Sequence, residues 1–161
     1  MIVKQIAVLA VATLSALGAG GGVIGLARAR NAQAAETPVI ARAADGHFWA
    51  DAEVEGAGGR RAMVHFLIDT GSSSVALTAN DARRIGLDMT TLRYIRPVFT
   101  AEGRAQAAPI VLQRVDVAGA KVASVRALVM GEGSQSSLLG MSYLGRLSRI
   151  EATPTTMTLR R

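Results

Sequence analysis

The residues best suited to chemistry lie in Phe66-Leu-Ile-Asp69-Thr70-Gly71-Ser72-Ser73, where an apolar run stops at a carboxylate, a hydroxyl and a glycine. A carboxylate on a rigid turn at a strand end makes a general base or acid. Gly71 permits backbone angles that other residues avoid. That freedom lets the turn aim its amides at Asp69, while the hydroxyls of Thr70 and Ser72 lock it. Taken alone, D-T-G also fits an Asx-type turn closing a hairpin.

Rival chemistries have less material. Gly71-Ser-Ser-Ser-Val75 is not G-x-S-x-G, so Ser72, Ser73 or Ser74 with His47 or His65 makes a poor serine hydrolase. His65, inside Met63-Val-His-Phe-Leu67, reads as an outward-facing or hydrogen-bonded strand residue. Two His among scattered acids, with no Cys, do not compose a metal site. Gly20-Gly-Gly and Gly56-Ala-Gly-Gly59 lack the Lys and hydroxyl of a phosphate-binding loop. Trp49 and Tyr143 read as packing residues, and Asp116-Val-Ala-Gly119 as a turn. No metal and no cofactor is expected.

Short strands must position the Asp69 turn. His47–Val54 partly alternates, Gly56–Gly59 supplies a hairpin turn, and Ala62–Ile68 is a second apolar strand. Asn80–Gly86 reads as one short helix, capped by Asn80 and ended by Gly86. Tyr94–Thr100 and Ala105–Val117 are extended and joined through Ala101-Glu102-Gly103-Arg104. Val122–Met130 comes next, then Leu138-Leu139-Gly140, and Met157–Leu159 closes the chain as an edge strand. Many short strands, regular Gly turns and one small helix predict an all-β barrel or sandwich.

The chain has 161 residues, 50% hydrophobic and 19% charged. That suits one domain and excludes a mainly disordered chain. The absence of Cys excludes a disulfide scaffold. The formal charge of +6 falls to +3 without the first 34 residues, and the remaining basic residues form no long run. With only 4% aromatics, nucleic-acid binding is not expected.

Ile6–Leu26 is a 21-residue uncharged, largely apolar run, close to the ~20 residues that span a bilayer. It reads as a transmembrane helix, or as a signal peptide cleaved after Ala34 at Ala32-Gln33-Ala34. Its length favours the anchor, and both readings export residues 35–161. Gly18/Gly22 and Gly21/Gly25 are G-x-x-x-G pairs that permit close helix approach in lipid. Residues 1–30 are thus the anchor or signal, 31–41 a tether, and 42–161 the globular domain.

Four blocks in order give the chain its likeness to a known family: Phe66-Leu-Ile-Asp-Thr-Gly-Ser-Ser-Ser74, Asn80-Asp-Ala-Arg-Arg-Ile-Gly-Leu87, a hairpin with Gly103 at its tip, and Leu138-Leu-Gly-Met-Ser-Tyr-Leu-Gly-Arg-Leu147. Together they resemble the retropepsin-like aspartic proteases, specifically the bacterial membrane-associated single-domain group, over roughly residues 42–161. The conjunction of D-T-G with a downstream hydrophobic-hydrophobic-Gly is what makes the likeness specific. Two departures stand out: Ser72 replaces the frequent Ala after D-T-G, and the flap tip Glu102-Gly103-Arg104 lacks an aromatic.

The resemblance implies a closed retropepsin-like (acid protease) β-barrel and an aspartic endopeptidase. Asp69 would be catalytic, with Thr70 and Gly71 completing its loop. Ser72, Leu138, Leu139 and Gly140 would support it, and Thr100, Ala101, Glu102, Gly103 and Arg104 would form the flap over substrate. Such enzymes activate water between two aspartates that share a proton. The chain has a single D-[ST]-G, so the second aspartate is expected from a second copy in a homodimer. The expected place of action is the inner membrane, held through residues 6–26 with the catalytic domain in the periplasm, or the periplasm itself after cleavage at Ala34. The alternative function is a non-catalytic peptide-binding or assembly module with the same fold, holding an extended peptide by strand addition.

Overall fold

Alternation of small and branched apolar residues with polar ones builds the barrel strand by strand. The structure, a computed structural model, describes residues 38–100 and 103–161. The apolar run, most of the tether, Ala101 and Glu102 lie outside the described residues. In strand β2 (Trp49–Glu55), Ala50, Ala52 and Val54 are buried while Asp51 faces out; in β3 (Arg61–Ile68), Val64 and Phe66 are buried. This is the period of two expected of strands with one face on a core. The two pair antiparallel from Trp49↔Leu67 to Glu55↔Arg61 around the Gly56–Gly59 turn.

Six strands close a ring. After β3 come β4 (Val75–Leu77), β6 (Gly103–Val117), β7 (Ala120–Met130) and β8 (Ser137–Leu139), with β5 (Arg96–Thr100) hairpinned onto β6. The order around the ring is β2, β3, β8, β4, β7, β6, and β6 returns to β2 through pairs from Ala52↔Val117 to Glu55↔Arg114. Closure leaves those six strands without a free edge. Between barrel and sandwich, the β2–β6 pairing decides for the barrel. β5 stands outside the ring, paired with β6 alone from Arg96↔Ala107 to Thr100↔Gly103.

A second sheet joins β1 (Val39–Ala41), β10 (Thr156–Arg160) and β9 (Arg149–Ala152), in that order across the sheet. The expected edge strand Met157–Leu159 is therefore central. The last residues of the tether pair along one side of it and β9 along the other, and Met157 and Leu159 are buried.

The predicted helix is α1 (Ala79–Arg84), capped by Thr78 rather than Asn80. Thr78 follows β4 in an extended conformation, and its Oγ1 accepts the Asp81 amide at 3.1 Å; Asn80 is already inside the helix and exposed. The expected end holds. Gly86 has φ +84°, its amide donates to the Arg83 carbonyl and the Leu87 amide to the Ala82 carbonyl, both at 3.0 Å. That is the paired bonding of a left-handed helix terminus, which favours glycine. The one-helix expectation misses a single turn, α2 (Met141–Leu144), directly after Gly140. Among the described residues no helix is long and apolar enough to cross a membrane.

Candidate active site

The turn that carries Asp69 is held from three directions. Its own amides fold it: Gly71 donates to Asp69 Oδ1 at 2.9 Å, and Ser72 to the Asp69 carbonyl at 3.3 Å. Strand β8 lies beside it, parallel to β3 in the register Ile68↔Leu139, and the Asp69 amide donates to the Leu139 carbonyl at 3.2 Å. Beyond β8, the Met141 amide donates to the Ser72 carbonyl at 2.8 Å.

Gly140 makes this approach possible. A Cβ there would lie 2.2 Å from the Ser74 carbonyl oxygen and 2.8 Å from that of Ser72, closer than any side chain tolerates. Leu139 is fully buried beneath, and Leu138 is half-buried. Leu138, Leu139 and Gly140 thus lie directly beside the Asp69 turn.

Two details differ from the sequence reading. Gly71 is not among the residues with positive φ. A Cβ on it would crowd Asp69 Oδ1 at 3.2 Å, so its lack of a side chain leaves room for the carboxylate. Of the two hydroxyls expected to lock the turn, Ser72 does so, donating to the Ser74 carbonyl at 2.8 Å, whereas Thr70 is exposed.

Further support comes from residues that carried no role in the sequence. The Ser137 hydroxyl accepts the Thr78 amide at 3.0 Å and donates to Asp81 Oδ2 at 2.7 Å. Asp81 also accepts from the Thr78 hydroxyl and, on its other oxygen, from the Arg84 guanidinium. One carboxylate thereby ties the start of α1 to the start of β8. Ser142 accepts the Val75 amide and donates to the Arg126 carbonyl, fastening the far end of the turn to β7. The signal for Asp81 was present as Thr78-Ala-Asn-Asp81, a [ST]-x-x-[DE] cap; Ser137 and Ser142 act through contacts distant in sequence.

Asp69 differs from other aspartates in what its carboxylate does. Asp45 accepts the His47 amide and the Trp49 indole N–H, and these bonds hold it below the usual carboxylate range. Asp88 is held low by the hydroxyl and amide of Thr90. Asp116 accepts the Gly119 amide, closing the expected turn. Asp51 binds His65 Nδ1 at 2.8 Å, and that ring stacks on Trp49 with centroids 5.1 Å apart. Both His therefore face aspartates, not Ser72–Ser74. Tyr143 is fully buried, its hydroxyl donating to the Ala120 carbonyl, and burial pushes the phenol above its ordinary value. Asp69 is half-buried; one oxygen is taken by Gly71, and the other accepts nothing among the described residues. Among the described residues no three His, Asp or Glu side chains gather as metal ligands would.

The β5–β6 hairpin holds Thr100, Gly103 and Arg104; the Thr100 hydroxyl donates to the Gly103 carbonyl at 3.1 Å. The Arg104 guanidinium sits 5.2 Å from the centre of the Phe99 ring, which is 78% exposed. The hairpin does carry an aromatic, then, one residue before Thr100 rather than at the tip. Two surface concavities occur elsewhere: about 330 Å³ between Trp49, Asp81 and the Gly131–Ser137 segment, and about 680 Å³ across β6, β7 and Ser73–Ser74. Asp69 lines neither.

The chain is similar to several known proteins. A family described as "gag-polyprotein putative aspartyl protease" matches residues 53–146. An uncharacterized protein from the cobV 5' region of a Sinorhizobium species is 39% identical over 123 residues, covering 76% of this chain and 51% of that protein. An uncharacterized protein of Rickettsia prowazekii is 41% identical over 108 residues, covering 67% of this chain and 44% of that protein. The chain spans about half the length of these curated relatives. The crystal structure of a retropepsin-like aspartic protease from Rickettsia conorii superposes with a TM-score of 0.66 at 37% identity, over 76% of this chain and 88% of that one.

Proposed function

The chain belongs to the gag-polyprotein aspartyl protease family, the retropepsin-like aspartic proteases, and on that premise we propose that it is an aspartic endopeptidase whose catalytic group is Asp69. The observation that carries the reading is the clamped Asp69 turn, with one carboxylate oxygen fixed by Gly71 and the other free to meet a water. Fixing a catalytic group before substrate arrives removes reorganisation from the reaction.

A single carboxylate is half of the required apparatus. The chain has one D-T-G, which supports completion by a second copy across a two-fold axis. Two carboxylates brought that close share one proton. The ionised one takes a proton from water as the oxygen attacks the scissile carbonyl carbon. The protonated one gives its proton to the carbonyl oxygen, forming a neutral tetrahedral diol. Collapse breaks the C–N bond as the carboxyl that took the water proton passes it to the leaving nitrogen and a diol hydroxyl gives its proton to the other carboxylate, which leaves the pair singly protonated. No covalent intermediate forms.

The place of action is argued from Ile6–Leu26, which supports an inner-membrane anchor with the domain in the periplasm, acting on periplasmic or membrane-protein substrates. Cleavage after Ala34 would release the same domain there.

Asp69→Asn in the full-length chain is expected to remove peptide cleavage, by a factor of about 10²–10⁴ or more, with circular dichroism unchanged. Product masses from a diverse peptide mixture read the outcome. A folded wild type that holds peptides without cutting them would indicate the peptide-binding module instead.

A further inference from the structure

We infer that the groove across β6 and β7 beside the Asp69 turn is a recognition site for an acidic side chain of the peptide substrate, with Arg96 and Arg126 as its specificity-determining residues. The inference rests on the protease reading and adds a substrate class to it.

The groove has a volume of about 680 Å³. Strand geometry builds its floor. In the register Pro109↔Leu128 and Val111↔Arg126, the side chains alternate with the buried Ala108, Leu112 and Ala127, so these four share the outer face of the β6–β7 ribbon. Val111 is 55% exposed, an unusual exposure for a branched apolar residue in the middle of a ribbon. Arg96, at the start of β5, and Ser73 and Ser74 complete the walls.

Charge selects the occupant. Two guanidinium groups line the groove and no carboxylate does. Arg61 and Arg114 pair with Glu55, Arg83 with Glu132 and Arg84 with Asp81, whereas Arg104 on β6 forms no ion pair among the described residues and lies over the Phe99 ring. Neither Arg96 nor Arg126 forms an ion pair among the described residues. An apolar floor flanked by two unpaired guanidinium groups suits a Glu or Asp side chain within an otherwise apolar extended segment.

Position links the groove to the reaction. Ser73 is four residues after Asp69, so the two lie at most ~14 Å apart along the chain. That is the span of about four residues of extended peptide. A substrate seated over Asp69 therefore reaches the groove with a side chain within about four positions of the scissile bond.

The test uses full-length protein and peptide pairs built on one cleaved sequence, with Glu or Gln placed in turn at each of the four positions on either side of the cut. Wild type is expected to prefer Glu at one position by about fivefold in kcat/KM, the scale of partly exposed ion pairs, and to lose the preference in high salt. Arg96→Gln with Arg126→Gln brings the Glu/Gln ratio to about 1, and Arg126→Glu shifts the preference to Lys. Equal cutting of all pairs by wild type, or a Glu preference that survives in the double variant, overturns the assignment. Binding of the same peptides to Asp69→Asn protein separates this from failure of the protease reading. Arginine-dependent Glu preference in binding supports the site even if nothing is cut, and its absence overturns it. Arginine-dependent binding to vesicles of anionic phospholipid, with no peptide preference, also overturns it in favour of a membrane contact.

Discussion

The Asp69 turn and the β5–β6 hairpin are held in opposite ways. The turn is bonded to itself, to β8 and to α2, and Gly140 lets backbone press on backbone beneath it. From Pro97↔Gln106 to Thr100↔Gly103 the hairpin is bonded only to its own ladder among the described residues; Ile95 is 70% and Phe99 78% exposed, and a Cβ on Gly103 would meet nothing within 4 Å. The contrast fits a division of labour. The proposed reacting group is fixed by several bonds, whereas the described arms of the element expected to cover substrate have few bonds beyond their own ladder and carry their own apolar surface. Stability is drawn from the first region and adaptability from the second.

Two glycine substitutions test the contrast most severely. Gly140→Ala drives a methyl group into the Ser72 and Ser74 carbonyls and is expected to cost about 3 kcal/mol or more, with cleavage falling alongside the melting temperature. Gly103→Ala meets open space and bears only the strain of φ +122°, about 1 kcal/mol. Equal losses in the two variants, by thermal melting and kcat/KM, would erase the distinction.

The next effect concerns the second layer of support. Ser137→Ala leaves the buried Thr78 amide without its acceptor and frees one bond on Asp81. A loss of about 1–3 kcal/mol is expected from chemical denaturation, with kcat falling more than KM changes because β8 shifts under the turn.

The smallest effect on stability belongs to the hairpin. Phe99→Ala should change the unfolding free energy by less than about 0.5 kcal/mol, since the ring is exposed. Its expected signature is a higher KM at nearly constant kcat. A large loss of stability would mean that the hairpin is packed rather than free.

Local chemistry made the site legible before its surroundings. D-T-G at the end of an apolar strand, the Gly56–Gly59 turn and the Gly86 helix end all announce themselves within a few residues. The cap at Thr78 was hidden by the better cap propensity of Asn80, because the end of β4 decides where the helix begins. The central place of β10 depends on Val39–Ala41, more than a hundred residues away, and no local pattern reports such a pairing. β4, with three residues, is too short to show a period. Gly71 carried the right identity and the wrong reason: the need is space for Asp69 Oδ1, which sequence cannot distinguish from a need for positive φ. Ser137 and Ser142 are ordinary serines until β8 and α2 bring them beneath the turn.

The central claim, one active site made from two Asp69 carboxylates, is tested most directly by mixing full-length wild type with Asp69→Asn at fixed total protein under conditions of protomer exchange. Activity is predicted to track the square of the wild-type fraction, falling to about a quarter at equal amounts, because mixed pairs lack one carboxylate. A linear decline to about half would show that each protomer works alone and would contradict the shared site.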